Sequence, residues 1–100
     1  MSDYGETTLR QHRRLAILRF LADSAGYTSN ASIVLDVLHK LGITSTRAQV
    51  TTELVWLREQ GLVACDPRAE FIVATATVGG VEIAQGLSVH PDIQRPKPRA

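Results

Sequence analysis

Residues 41–63, LGITSTRAQVTTELVWLREQGLV, constrain the fold more than any other stretch of the chain. Gly42 directly follows residues of helical periodicity, and a glycine there supplies the left-handed residue that stops a helix. Four residues later Thr46, with Gln49 three positions on, fits a capping box that starts the next helix. At about 100° per residue, Val50, Leu54, Leu57 and Gly61 fall in one narrow stripe, as a core-facing helix requires. Ser45, Ala48, Gln49, Thr52, Val55 and Glu59 then face away. Gly61 ends the periodic run, and Leu62–Cys65 reads as the start of a strand. Two helices are therefore joined by a tight turn, with a strand close behind the second.

The flanking segments complete the pattern. Between Thr8 and Ala22 the apolar residues Leu9, Ala16, Ile17, Phe20 and Leu21 recur at three- and four-residue intervals, and Thr8 with Gln11 matches a capping box. This predicts a first helix over 8–22. Residues 23–29 are loop-like by composition, and Ser29 or Asn30 can cap a second helix running to about Leu41. Its expected core face is Ile33, Val34, Val37, Leu38 and Leu41. Leu62–Cys65 and Phe71–Ala76, separated by DPRAE, predict a small hairpin. Thr77 can cap a short helix through Ala84, which Gly79 and Gly80 weaken by about 1 kcal/mol each.

The expected architecture is mainly α with a small β-hairpin: a winged helix-turn-helix with a three-helix core, a two-stranded wing and a short C-terminal helix. Residues 1–7 are expected to be a flexible start, 8–85 the domain, and 86–100 an extended basic tail broken by Gly86, Pro91, Pro96 and Pro98.

Composition bounds the function. One hundred residues, 44% hydrophobic and 21% charged, suit one soluble domain with a modest core. No apolar run approaches the roughly 20 residues of a membrane span, and the polar start lacks the features of a secretory signal, so a cytoplasmic protein without membrane contact is expected. Cys65 is the single cysteine, and His12, His39 and His90 are scattered, so neither a disulfide nor a metal site is expected, and no cofactor. No glycine-rich phosphate loop and no paired acids mark an active site, which predicts a non-enzymatic protein.

A net charge of +1 argues against coating nucleic acid by charge alone, but the distribution is uneven. Arg10, Arg13, Arg14 and Arg19 stand in a stretch with no acid, and Arg95, Lys97 and Arg99 end the chain. A helix N-terminus offers free amides to phosphate, so the start of the third helix, about 46–60, is the segment expected to enter the major groove of double-stranded DNA. Thr46 and Arg47 would meet the backbone, Gln49 a base edge, and Thr51 and Thr52 either. Arg13 and Arg14 would line a phosphate-facing edge beside it, and Arg68 at the hairpin tip could enter the minor groove, although Asp66 and Glu70 flank it. The plainer alternative for each is a solvated side chain, with Thr46 only capping. Val55 and Trp56 suggest a second class of function, a surface that binds another protein without touching DNA. Trp56 packed on the first helix or the wing is the bland reading of the same residue. A single recognition helix buries little DNA surface, which predicts a homodimer, its surface not visible in the sequence.

Val50, Leu54 and Leu57 followed by REQGLV resemble the recognition helix and first wing strand of ArsR-like bacterial regulators. Over nearly the whole chain, LRFLADSAGY, SNASIVLDVLHKLGI, ELVWLREQGLV, VEIAQG and RPKP together resemble small winged-helix proteins encoded in Mu-like prophages. The resemblance implies the fold and a phage setting, and no particular operator or reaction; the DNA-binding transcriptional regulator expected here rests on the third helix, and in a phage setting the alternative Val55 and Trp56 surface would bind a phage or host protein. Two departures stand out. The paired cysteine or histidine ligands of metal-sensing regulators are missing, and positions that often carry basic residues on the recognition helix hold Ala48, Thr52 and Val55.

Overall fold

The first helix starts earlier than its apolar periodicity suggests. In the computed structural model, which describes residues 4–97, α1 spans Tyr4–Ala22. Thr8 lies inside this helix, its hydroxyl donating to the Tyr4 carbonyl at 3.0 Å, so it is not the cap. Tyr4–Thr7, expected to be flexible, form the first turn. The core face also differs from the expected one. Leu15, Ile17, Leu18 and Leu21 are buried, whereas Leu9 is exposed and Ala16 and Phe20 are half-buried.

A 3-10 turn over Ala25–Tyr27 leads into β1, Thr28–Asn30, where a loop was expected. Asn30 then caps α2, Ala31–Lys40, accepting the Ile33 amide at 2.9 Å. Gly42, at φ +78°, reverses the chain after it. Only Ala31, Val34 and Leu38 of α2 are buried. Ile33 and Leu41, expected in the core, are 46% and 60% exposed.

The third helix, α3, spans Arg47–Glu59 and carries the predicted capping box: Thr46 Oγ1 accepts the Gln49 amide at 3.1 Å, and Gln49 Oε1 accepts the Thr46 amide at 2.9 Å. Val50, Leu54 and Leu57 are buried as the stripe requires, and Gly61 at φ +74° ends the helix. The hairpin follows as β2, Val63–Cys65, and β3, Val73–Ala76. Thr77 accepts the Gly80 amide at 3.2 Å and starts α4, Val78–Ala84. Gly80 is where α4 passes over the backbone of Leu62, just before β2: a Cβ there would overlap the Leu62 carbonyl, so the glycine that weakens the helix is what lets it dock.

The sheet has three antiparallel strands in the order β1-β3-β2, not two. Thr28, Ser29 and Asn30 pair with Thr75, Ala74 and Val73, and the Thr28 and Thr75 hydroxyls lie 2.8 Å apart. The described residues thus form a small α+β domain of four helices and this sheet. Among them no helix is long and apolar enough to cross a membrane.

Residues 86–97, expected to extend away, fold back across α1 instead. Ile93 is only 4% exposed within the core, and the Gln94 amide donates to the Gln11 carbonyl at 3.2 Å. Burying an isoleucine contributes about 1.5–3 kcal/mol, enough to hold a segment that has no regular structure of its own. Residues 98–100 of the expected basic tail, Arg99 among them, lie outside the described residues.

Candidate nucleic-acid interface

The face of α3 opposite its buried stripe is uncovered. Arg47, Ala48, Gln49 and Thr52 are exposed, and Thr51 and Val55 are half-buried at its margins. Thr46 stands exposed at the helix start. Capping, however, engages both residues expected to reach DNA first. The Thr46 hydroxyl oxygen accepts the Gln49 amide, and Gln49 Oε1 is held by the Thr46 amide, which leaves the Gln49 side-chain NH2 as its free donor. Arg47 reaches across to α2, its Nη2 3.4 Å from Ser32 Oγ. Together Arg47, Thr51 and Ser32 border a cleft of about 330 Å³ whose far wall is the end of the β2–β3 connection and the start of β3, with Glu70, Phe71 and Val73.

At the hairpin tip Arg68 is exposed, and its backbone amide donates to Asp66 Oδ1 at 3.0 Å, which fixes the turn. Two acids of the same connection, Asp66 and Glu70, are also exposed. With one arginine against two acids the tip is net negative, and its most prominent group is apolar: Phe71 is 77% exposed. A lone acid-flanked arginine in the sequence gave no hint of that.

The expectation for Arg13 and Arg14 requires correction. Both are buried, at 3% and 7% exposure, and they face Glu53 of α3 rather than solvent. Arg14 Nε donates to Glu53 Oε1 at 2.9 Å, and Arg13 Nη1 lies 3.8 Å from Oε2. Arg10 Nε donates to the same Oε2 at 3.3 Å, with its own side chain 44% exposed. Two further donors are used: Arg13 Nε bonds Ser45 Oγ at 2.8 Å, and Arg14 Nη1 bonds the Asp92 carbonyl at 2.9 Å. Ser45, expected to face away, is buried by this contact. Three cations thus converge on one carboxylate that is 2% exposed, tying α1 to α3 and to the C-terminal segment.

Trp56 belongs to the same assembly. The Arg14 guanidinium lies 3.8 Å from its ring centroid, and His90 meets it edge-on at 5.1 Å and 74°. His90 Nδ1 accepts the Asp92 amide at 3.0 Å, so its Nε2 carries the proton donated to Gln60 Oε1, also at 3.0 Å. Trp56 is therefore half-buried beneath an arginine and a histidine, and it does not form an open apolar patch with Val55.

Sequence reasoning passed over Glu53, although a signal existed. Arg10, Arg13, Arg14, Ile17, Leu18 and Leu21 follow an i, i+3, i+4, i+7, i+8, i+11 pattern, one face of one helix. Glu53, three residues after Val50 and four before Leu57, borders the core stripe of α3. Charges of opposite sign on two core-facing stripes point to a buried pair. Arg10, by contrast, keeps part of its guanidinium at the surface, in a cleft of about 620 Å³ shared with Gln49 and Thr52. Of the two arginines that line this cleft with Glu6, Arg10 is the exposed one and Arg13 the buried one.

Comparison with known proteins gives two relatives. The uncharacterized protein gp26 of Escherichia phage Mu is 38% identical over 92 residues, covering 92% of this chain and 95% of that protein. An uncharacterized protein of Haemophilus influenzae is 40% identical over 70 residues, covering 69% of this chain and 68% of its own length. No family model matches the chain, and no solved structure matches it. The phage side of the resemblance read from the sequence is thereby supported, while its ArsR-like side finds no family match. The 38% identity, spread over almost all of both chains, makes this protein a member of the family of phage Mu gp26.

Proposed function

We propose that the chain is a winged helix-turn-helix protein that binds double-stranded DNA through α3 and regulates transcription in the cytoplasm of a cell carrying a Mu-like phage. It acts by binding alone and catalyses no reaction. The observation that carries this reading is the open face of α3: Arg47, Ala48, Gln49 and Thr52 are exposed on a helix whose other side is buried, and among the described residues no element covers them. The element order supports it, with three helices, a strand between the first two, and a hairpin directly after the third. In this reading Arg47 contacts the phosphate backbone, the Gln49 side-chain NH2 and Thr52 reach base edges, and Arg10 takes the positioning role first expected of Arg13 and Arg14.

The test is binding of the protein to fragmented phage and host DNA across a salt series, with Arg47→Ala run in parallel. The parent should retain discrete fragments. The variant should bind more weakly and lose about one unit from the slope of log affinity against log salt, as expected for one phosphate contact. Retention of no fragment, or identical binding by the variant, refutes the assignment.

A second reading has its own observation. Phe71 and Val73, 77% and 52% exposed, flank Arg47 across the cleft, and such groups suit a protein partner better than a phosphate backbone. Under this reading Phe71→Ser abolishes activity while DNA retention is absent in the parent.

A further inference from the structure

A different face of the molecule carries chemistry that the DNA reading leaves unused. Between α1 and the end of α2 runs an open groove of about 460 Å³, floored by Ala16, Phe20, Leu41 and Ile43. Leu41 is 60% exposed there, at a position where the helical pattern of α2 calls for a core residue. Arg19 and Asp23 stand on the rim, exposed and one helical turn apart. Among the described residues neither is an ion-pair partner, since every salt bridge converges on Glu53. No outward residue of α3 and no residue of the hairpin lines this groove.

We propose that this groove is the homodimer interface, occupied by the same groove of a second copy related by a two-fold axis near the C-terminal turn of α1. The argument is self-complementarity. An isologous interface places each residue of a pair against the other residue of the partner copy. With the two α1 helices antiparallel, Arg19 of each copy meets Asp23 of the other, which makes two ion pairs about one helical turn apart along the seam. Beside them Phe20, Leu41 and Ile43 of both copies exclude water, an apolar patch edged by charge. A partner of uniform charge would leave Arg19 or Asp23 facing a like charge, whereas a second copy satisfies both. The proposal stands independently of the DNA reading, because α3 remains open on each protomer.

Sedimentation equilibrium of the full chain, with circular dichroism to verify folding, tests it through four variants. The parent should be dimeric at micromolar concentration. Leu41→Glu changes an exposed side chain, leaves the fold intact and should yield a monomer. Arg19→Glu and Asp23→Arg, each placing like charges together twice, should weaken the dimer about tenfold or more, and the double variant, which restores both pairs in reversed order, should recover dimerisation. A monomeric parent at hundreds of micromolar overturns the proposal. So does a dimer unaffected by Leu41→Glu, or a double variant no tighter than the singles.

Discussion

Replacing Glu53 by alanine tests the central structural argument, because one carboxylate holds three arginines. Glu53 is 2% exposed, and two of its partners, Arg13 and Arg14, are nearly as buried. Without it those guanidinium groups lose their counter-charge inside the protein, and uncompensated buried charge costs about 3–5 kcal/mol. The lower end applies here. Arg14 keeps the Asp92 carbonyl and the Trp56 ring, Arg13 keeps Ser45 Oγ, and Arg10 can turn to solvent. A loss of about 3 kcal/mol is a large part of the 5–15 kcal/mol that stabilises a typical domain. It corresponds to a fall of roughly 12–24 °C in melting temperature for a chain of this size. Urea unfolding followed by fluorescence of the single tryptophan is the natural assay, since Trp56 sits against Arg14 and reports on the cluster directly. Glu53→Gln keeps the shape but turns an amide NH2 toward donors, so it should also destabilise. If Glu53→Ala unfolds within about 0.5 kcal/mol of the parent at unchanged slope, the cluster does not hold α1 to α3 and the reasoning fails.

Two further predictions concern α4 and the lone thiol. Gly80→Ala should destabilise by about 1–3 kcal/mol in thermal melts, opposite in sign to the gain of about 1 kcal/mol that alanine gives in an open helix, because the methyl group meets the Leu62 carbonyl. A stabilised variant would show that α4 does not press on the Leu62 backbone. Burial pushes the Cys65 thiol up, partly offset by the positive charge of Arg58 and reinforced by Asp66. Its alkylation rate should therefore reach half-maximum at a higher pH than that of a free cysteine, and Arg58→Ala should move that midpoint further up; a midpoint below free cysteine contradicts the environment described.

Local features can be read from neighbouring residues alone. Asn30, Thr46 and Thr77 start helices where they stand because a side-chain oxygen satisfies amides two or three residues away. Gly42 and Gly61 stop helices because they reverse the chain cheaply, and the Val50, Leu54 and Leu57 stripe identifies the buried side of α3. The tertiary structure alone decided what depends on partners distant in the chain. Thr28–Asn30 has no alternating apolar pattern and becomes a strand only because β3 offers its edge. The segment around Ile93 reads as a loose tail, yet the core takes it in. Arg13 and Arg14 look like surface cations until Glu53, 39 residues beyond Arg14, arrives to neutralise them. Periodicity gives the direction in which a side chain leaves its helix. Whether it then meets water, a carboxylate or another copy of the chain depends on what the fold brings opposite, and that choice is made by packing over tens of residues.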